Sequence, residues 1–236
     1  MIAFVLSGGG SLGAVQAGML EALLERNIVP GVLVGTSIGA ANAAFLAAEP
    51  TLPRAQALSD LWRSLTSREI FPLGPVRTLR ALFKDGSLFA TAPLRRLIER
   101  NSPYSSIERA LVPLRIVATD FVDGAEVVFD SGPVADAVLA STALPGVFPP
   151  HRVSGRLYLD GGDHPEITIV SLPPVCSHAG LRDLGRAASL IEQARDQTRL
   201  FLSGQPCDTC AHESSRRSDT APVEEVVRLP ADLSVA

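Results

Sequence analysis

The chain has 236 residues, 46% of them hydrophobic and 19% charged, with a formal net charge of −4. Apolar content of that size excludes disorder along the whole length and suits one sizeable domain with at most a short appendage. The mild charge excludes a global pull toward nucleic acid, and three cysteines, odd in number and confined to the last third, exclude a disulfide framework.

Residues 2–6 form a short apolar run ended by glycine, which predicts a fully buried strand. Val15, Met19, Leu20, Leu23 and Leu24 recur at helical spacing, predicting a helix over about 12–27. Val32-Leu33-Val34 reads as a second buried strand, and 38–48 as an alanine-rich helix stopped near Pro50. Two strand-turn-helix units in the first fifty residues predict an α/β fold built on a parallel sheet covered by helices.

The segment 54–110 reads as a helical, basic insertion or cap, broken at Phe71–Pro75 and at Lys84–Gly86. From Arg54 to Arg115 there are eleven basic residues against five acids. The ordinary meaning of such a run is a solvated helical face, and the sharper one is peripheral contact with an anionic membrane surface. Leu82, Phe83, Leu88 and Phe89 flank the second break and face either core or lipid, with the core as the default.

Residues 114–119 return to strand, and Asp123-Gly124 turns the chain back into 126–129. A short helix over 134–140 and a proline-rich loop over 143–150 lead to a second hairpin at Ser154-Gly155. Its outgoing strand, 157–159, delivers Asp160-Gly161-Gly162. A strand over 167–171 and a helix over about 181–202 complete a domain assigned to residues 1–202. Residues 203–236 are polar and proline-broken, the composition of a loosely ordered tail. Without a basic n-region or an apolar run near ~18 residues, the expectation is a cytoplasmic protein. Cys207-x-x-Cys210-x-His212 lacks a second ligand pair, so no metal site and no cofactor are expected.

Gly8-x-Gly10-x-x-Gly13 fits the dinucleotide-binding fingerprint, with the strand before it and the helix after it. That use requires an acid near the end of the second strand to hold a ribose hydroxyl. Gly35-Thr36-Ser37-Ile38-Gly39 stands there instead, a G-x-S-x-G sequence between a buried strand and a helix. In that setting the serine sits on a sharp turn with its hydroxyl at a helix N-terminus, and glycines on both sides let helix and strand approach. The plainer meaning is a tight turn with Ser37 as a helix cap. Amides of Gly8, Gly9 and Gly10, at the end of a neighbouring strand, suit the negative charge that develops on an ester oxygen during acyl transfer. None of His151, His164, His178 and His212 lies in a setting that singles it out as the base. Asp160 ends a strand and precedes two glycines, which presents its carboxylate at the sheet edge; burial would raise its low basicity.

Ser7–Gly13, Gly35–Gly39, the stretch Ala140–Pro150 and Asp160-Gly161-Gly162 together resemble the patatin-like phospholipase family, over residues 2 to about 200. The resemblance implies a three-layer α/β/α fold with a mainly parallel central sheet. It also implies a Ser37–Asp160 dyad without histidine, an oxyanion hole at Gly8, Gly9 and Gly10, and acyl-ester lipids as substrates with no metal. Two departures stand out. Leu12 occupies a position where many members carry Lys or Arg. After Gly162, Asp163-His164-Pro165-Glu166 runs directly into Ile167–Val170, where members usually have a further helix. Two other outcomes follow from these residues: a catalytically impaired relative that binds lipid or a protein partner through the basic segment, and a nucleotide-binding module.

Overall fold

The computed structural model of the chain describes residues 2–71, 87–161, 180 and 183–204. The expectations for Leu82, Phe83, Gly162, His164, His178, His212, the three cysteines, the strand at 167–171 and the tail from 205 lie outside the described residues.

Among the described residues six strands form one sheet: β1 (Ala3–Leu6), β2 (Val32–Thr36), β3 (Leu114–Asp120), β4 (Glu126–Phe129), β5 (His151–Val153) and β6 (Arg156–Asp160). β1, β2 and β3 are parallel, with Leu6 opposite Gly35 and Thr36 opposite Val117. β4 and β6 then join β3 antiparallel, and β5 joins β6. The architecture is α/β, with a parallel half that carries the glycine loop and the G-x-S-x-G turn and an antiparallel half that carries Asp160.

One feature of the register decides the site. β4 pairs with β3 over Ile116–Thr119, overlapping the stretches paired to β2 (Leu114–Val117) and to β6 (Ala118–Asp120). β4 therefore occupies one edge of β3, while β2 and β6 share the other end to end. β2 stops at Thr36 opposite Val117, and β6 arrives from the opposite direction, ending with Asp160 opposite Ala118.

Seven described helices flank the sheet: α1 (Gly13–Glu25), α2 (Ile38–Ala47), α3 (Leu52–Ser64), α4 (Ser67–Ile70), α5 (Ala92–Asn101), α6 (Val134–Ser141) and α7 (Ala187–Leu202). Their ends follow from local chemistry. Asn27 adopts φ 57°, and the amides of Asn27 and Ile28 bond back to Leu24 and Leu23, a left-handed cap that stops α1. Thr51 caps α3, with proline in the first turn, and Thr66 with Glu69 forms a capping box on α4. The core is aliphatic, with Leu33, Leu46, Ile116, Val138 and Leu139 fully buried. Phe89 enters it while Leu88 stays 40% exposed, so the two members of that pair within the described residues part company. None of the described helices is long and apolar enough to cross a membrane.

Candidate active site

The chain leaves β2 and turns at Ser37 into α2. Ser37 holds φ 56° and ψ −127°, a backbone conformation that costs a side-chain-bearing residue free energy and that the packing around it sustains. A methyl group on Gly35 would lie 2.5 Å from the Cα of Ala40, and one on Gly39 2.0 Å from the carbonyl oxygen of Leu6. Only glycine lets the strand, the turn and the helix close this tightly. The Ser37 hydroxyl does not cap α2. It donates to Asp160 Oδ2 at 2.6 Å.

Asp160 reaches that position because β6 ends against the shared edge of β3. Its own amide donates to the carbonyl of Ala143 at 3.2 Å. Gly161 must be small, since a Cβ there would lie 2.5 Å from the Val117 carbonyl oxygen. The glycine loop comes in from the end of β1. The Cβ position of Gly8 lies 3.2 Å from Ser37 Cβ, and Gly9 (φ 148°) and Gly10 (φ 58°) take conformations open to glycine. The amides of Gly8, Gly9 and Gly10 take no part in the backbone hydrogen bonds among the described residues. Gly13 serves packing, because a side chain there would meet Trp62 at 2.5 Å.

Ser37, Asp160 and Gly8–Gly10 share one cavity of about 380 Å³. Its walls are mostly apolar: Ile38 beside the turn, Trp62 from α3, Ile70 from α4, Leu94 from α5, and Phe71 and Phe148. Phe71 and Phe148 stack with ring centroids 5.8 Å apart, and Phe89 packs edge-on to Phe71 at 5.1 Å. That aromatic cluster joins the 54–110 segment to the proline-rich loop over the site. Arg54 of the same segment is turned inward, with its guanidinium over Phe45 and its N–H groups donating to the Phe45 and Asn101 carbonyls.

Ser141 is a member of the site that sequence reasoning passed over. It is fully buried at the end of α6. Its hydroxyl accepts the Ser37 N–H at 2.7 Å and donates to the Val117 carbonyl at 2.5 Å, tying the strained turn to α6 and β3. Its signal lay in the Ala140–Pro150 stretch, which supported the resemblance without assigning a role to any one side chain.

While the Ser37 hydroxyl goes to Asp160, His151, the one histidine among the described residues, is engaged by Asp136, with Nε2 3.0 Å from Oδ1. Arg95 binds the same carboxylate. Burial pushes Asp136 up, but the hydrogen bonds from Arg95 and His151 outweigh it and hold the carboxyl below its ordinary range. Leu12 stands 37% exposed just past the glycine loop, and its apolar side chain brings no charge there.

The family model described as patatin-like phospholipase matches residues 4–174. An uncharacterised NTE family protein of Mycobacterium tuberculosis is 35% identical over 190 residues, which cover 80% of this chain and 49% of that protein. Human patatin-like phospholipase domain-containing protein 6 is 34% identical over 164 residues, 68% of this chain and 12% of its own length. The chain thus spans about half the length of its mycobacterial relative. In three dimensions it is similar to the Pseudomonas aeruginosa type III effector protein ExoU, with a TM-score of 0.53 at 20% identity over 86% of this chain and 52% of that one, a likeness of fold. The family match begins inside β1 and runs past Asp160, taking in the glycine loop, the strained turn and most of the cavity wall, and the chain belongs to the patatin-like phospholipase family.

Proposed function

We propose that residues 1–202 form a serine acyl hydrolase acting on lipid esters, with Ser37 as nucleophile and Asp160 as general base. The observation that carries this is the 2.6 Å hydrogen bond from Ser37 Oγ to Asp160 Oδ2 in the wall of a mostly apolar cavity. In this mechanism Ser37 Oγ attacks the ester carbonyl while its proton passes to Asp160. The amides of Gly8, Gly9 and Gly10 hold the oxyanion, with no reorganisation of side chains. Collapse of the tetrahedral species expels the alcohol, which takes the proton from Asp160. Water then gives its proton to Asp160 and attacks the acyl-enzyme, and the collapse that frees the acid returns the proton to Ser37. The acyl chain lies against Trp62, Phe71 and Phe148.

A chain-length series of acyl esters, with mass spectrometry of the fluorophosphonate-labelled protein, tests this. Each methylene buried against the wall adds about 0.8 kcal/mol, so kcat/KM is expected to rise roughly fourfold per methylene until the cavity is full. The label is expected on Ser37. No hydrolysis at any length, with no label on Ser37, overturns the proposal.

Ser141 supplies a further prediction. Ser141→Ala leaves the part-buried Ser37 N–H without its acceptor and removes the buried hydroxyl bound to Val117 O, a loss of about 1–3 kcal/mol. The expected result is a Tm lower by ~2–4 °C for each kcal/mol. kcat is also expected to fall about tenfold, because a small displacement of the attacking oxygen is costly. Thermal denaturation and steady-state kinetics on the same preparation check both.

A further inference from the structure

We infer that Gln16 is a positioning residue that sets the direction of the Gly8 amide; the inference rests on that amide acting as an oxyanion donor in the proposed reaction. The orientation is set from Trp62, whose indole N–H can only donate. It donates to Asn42 Oδ1 at 3.0 Å, and both residues are buried, 3% and 2% exposed. The Asn42 amide therefore has one allowed orientation. Its nitrogen donates to the Gly13 carbonyl at 2.9 Å and to Gln16 Oε1 at 2.8 Å, which uses both of its hydrogens. Gln16 is oriented in turn. With Oε1 accepting from Asn42, its Nε2 faces the Ser7 carbonyl and donates to it at 2.7 Å.

Ser7 O and the Gly8 N–H belong to the same trans peptide unit, so they point in opposite directions. Fixing the carbonyl toward Gln16 fixes the amide away from it. A pin matters here because Gly8, which flanks this peptide, has no Cβ, so rotation of the peptide meets little steric resistance on that side. The donor sequence Trp62, Asn42, Gln16, Ser7 carbonyl runs one way only. It links a wall of the cavity to the loop beside Ser37, where the Cβ position of Gly8 is 3.2 Å from Ser37 Cβ. The hydrogen bonds that Ser37 makes with side chains go to Ser141 and Asp160, outside this relay.

Gln16→Glu is the test, because the carboxylate keeps the size of glutamine and still accepts from Asn42 but sets an acceptor against Ser7 O. Activity is measured per Ser37 labelled by a fluorophosphonate, together with KM and Tm. The expected result is a fall in kcat per labelled site toward the ~10²–10³-fold that loss of one oxyanion donor costs, with KM within about threefold. Gln16→Ala, which removes the pin without repulsion, is expected to fall in the same direction by a smaller factor and decides the matter if the glutamate variant does not fold. An unchanged kcat per labelled site, with fewer sites or a lower Tm, overturns the inference and leaves the proposed function standing. A wild-type chain that neither hydrolyses esters nor labels at Ser37 overturns both.

Discussion

Ser37→Ala is expected to abolish ester hydrolysis and fluorophosphonate labelling while the chain stays folded. Alanine carries the same Cβ as serine, so the backbone strain at φ 56° is unchanged and the only loss is the hydroxyl that donates to Asp160. Removing the nucleophile from a unit of this kind costs ~10⁴-fold or more in kcat, with only ground-state binding left. Asp160→Asn preserves shape but cannot take the proton, and a loss of ~10²–10⁴-fold is expected, with labelling slowed rather than abolished. His151→Ala is expected to retain most activity, since that ring is committed to Asp136. Kinetics on one ester, with mass spectrometry of the labelled peptide, read all three. A Ser37→Ala protein that keeps a tenth of the wild-type rate puts the nucleophile elsewhere, and a dead His151→Ala protein argues for a triad.

The legible parts of this molecule were those encoded by neighbours in sequence. β1, the glycine loop and α1 announce themselves through an apolar run, a break and a 3.6-residue period, and Gly35–Gly39 is readable because strand and helix flank it directly. Asp160 stood out by its place at a strand end before glycines. What sequence could not convey is that β6 enters from the opposite direction and meets β2 end to end on β3, which is the reason Ser37 and Asp160, 123 residues apart, share a hydrogen bond. Ser141, Asn42 and Gln16 were hidden for the same reason. Each looks like an ordinary polar residue on a helix, and its role exists only in bonds to carbonyls and amides brought in by other elements. Gly18 is similar: it reads as a weak point in α1, yet a methyl group there would lie 2.1 Å from the Ile191 carbonyl oxygen, so it is what lets α1 and α7 pack closely.

For Gly39→Ala, helix propensity and long-range packing act with opposite signs. Gly39 lies inside α2, where alanine is intrinsically better by about 1 kcal/mol, and helix propensity alone predicts a gain in Tm. The surroundings forbid it. The added methyl would sit 2.0 Å from Leu6 O, 2.4 Å from Leu6 C and 2.6 Å from Ser7 O, all backbone atoms of β1 and its exit. No side chain can swing aside to relieve them, so α2 must move away from β1 or the strand must bend. Overpacking of this severity reaches about 3 kcal/mol or more. At ~2–4 °C per kcal/mol that is a Tm lower by roughly 6–12 °C. The displacement also falls on the two parts that must stay in register, since Ser37 begins α2 and the glycine loop continues from Leu6. A shift of ~1 Å between them is expected to cut kcat by about 10²-fold in whatever fraction remains folded. Calorimetry and kinetics per labelled Ser37 separate the two losses, and a rise in Tm would mean that β1 and α2 are further apart than the 2.0 Å approach requires.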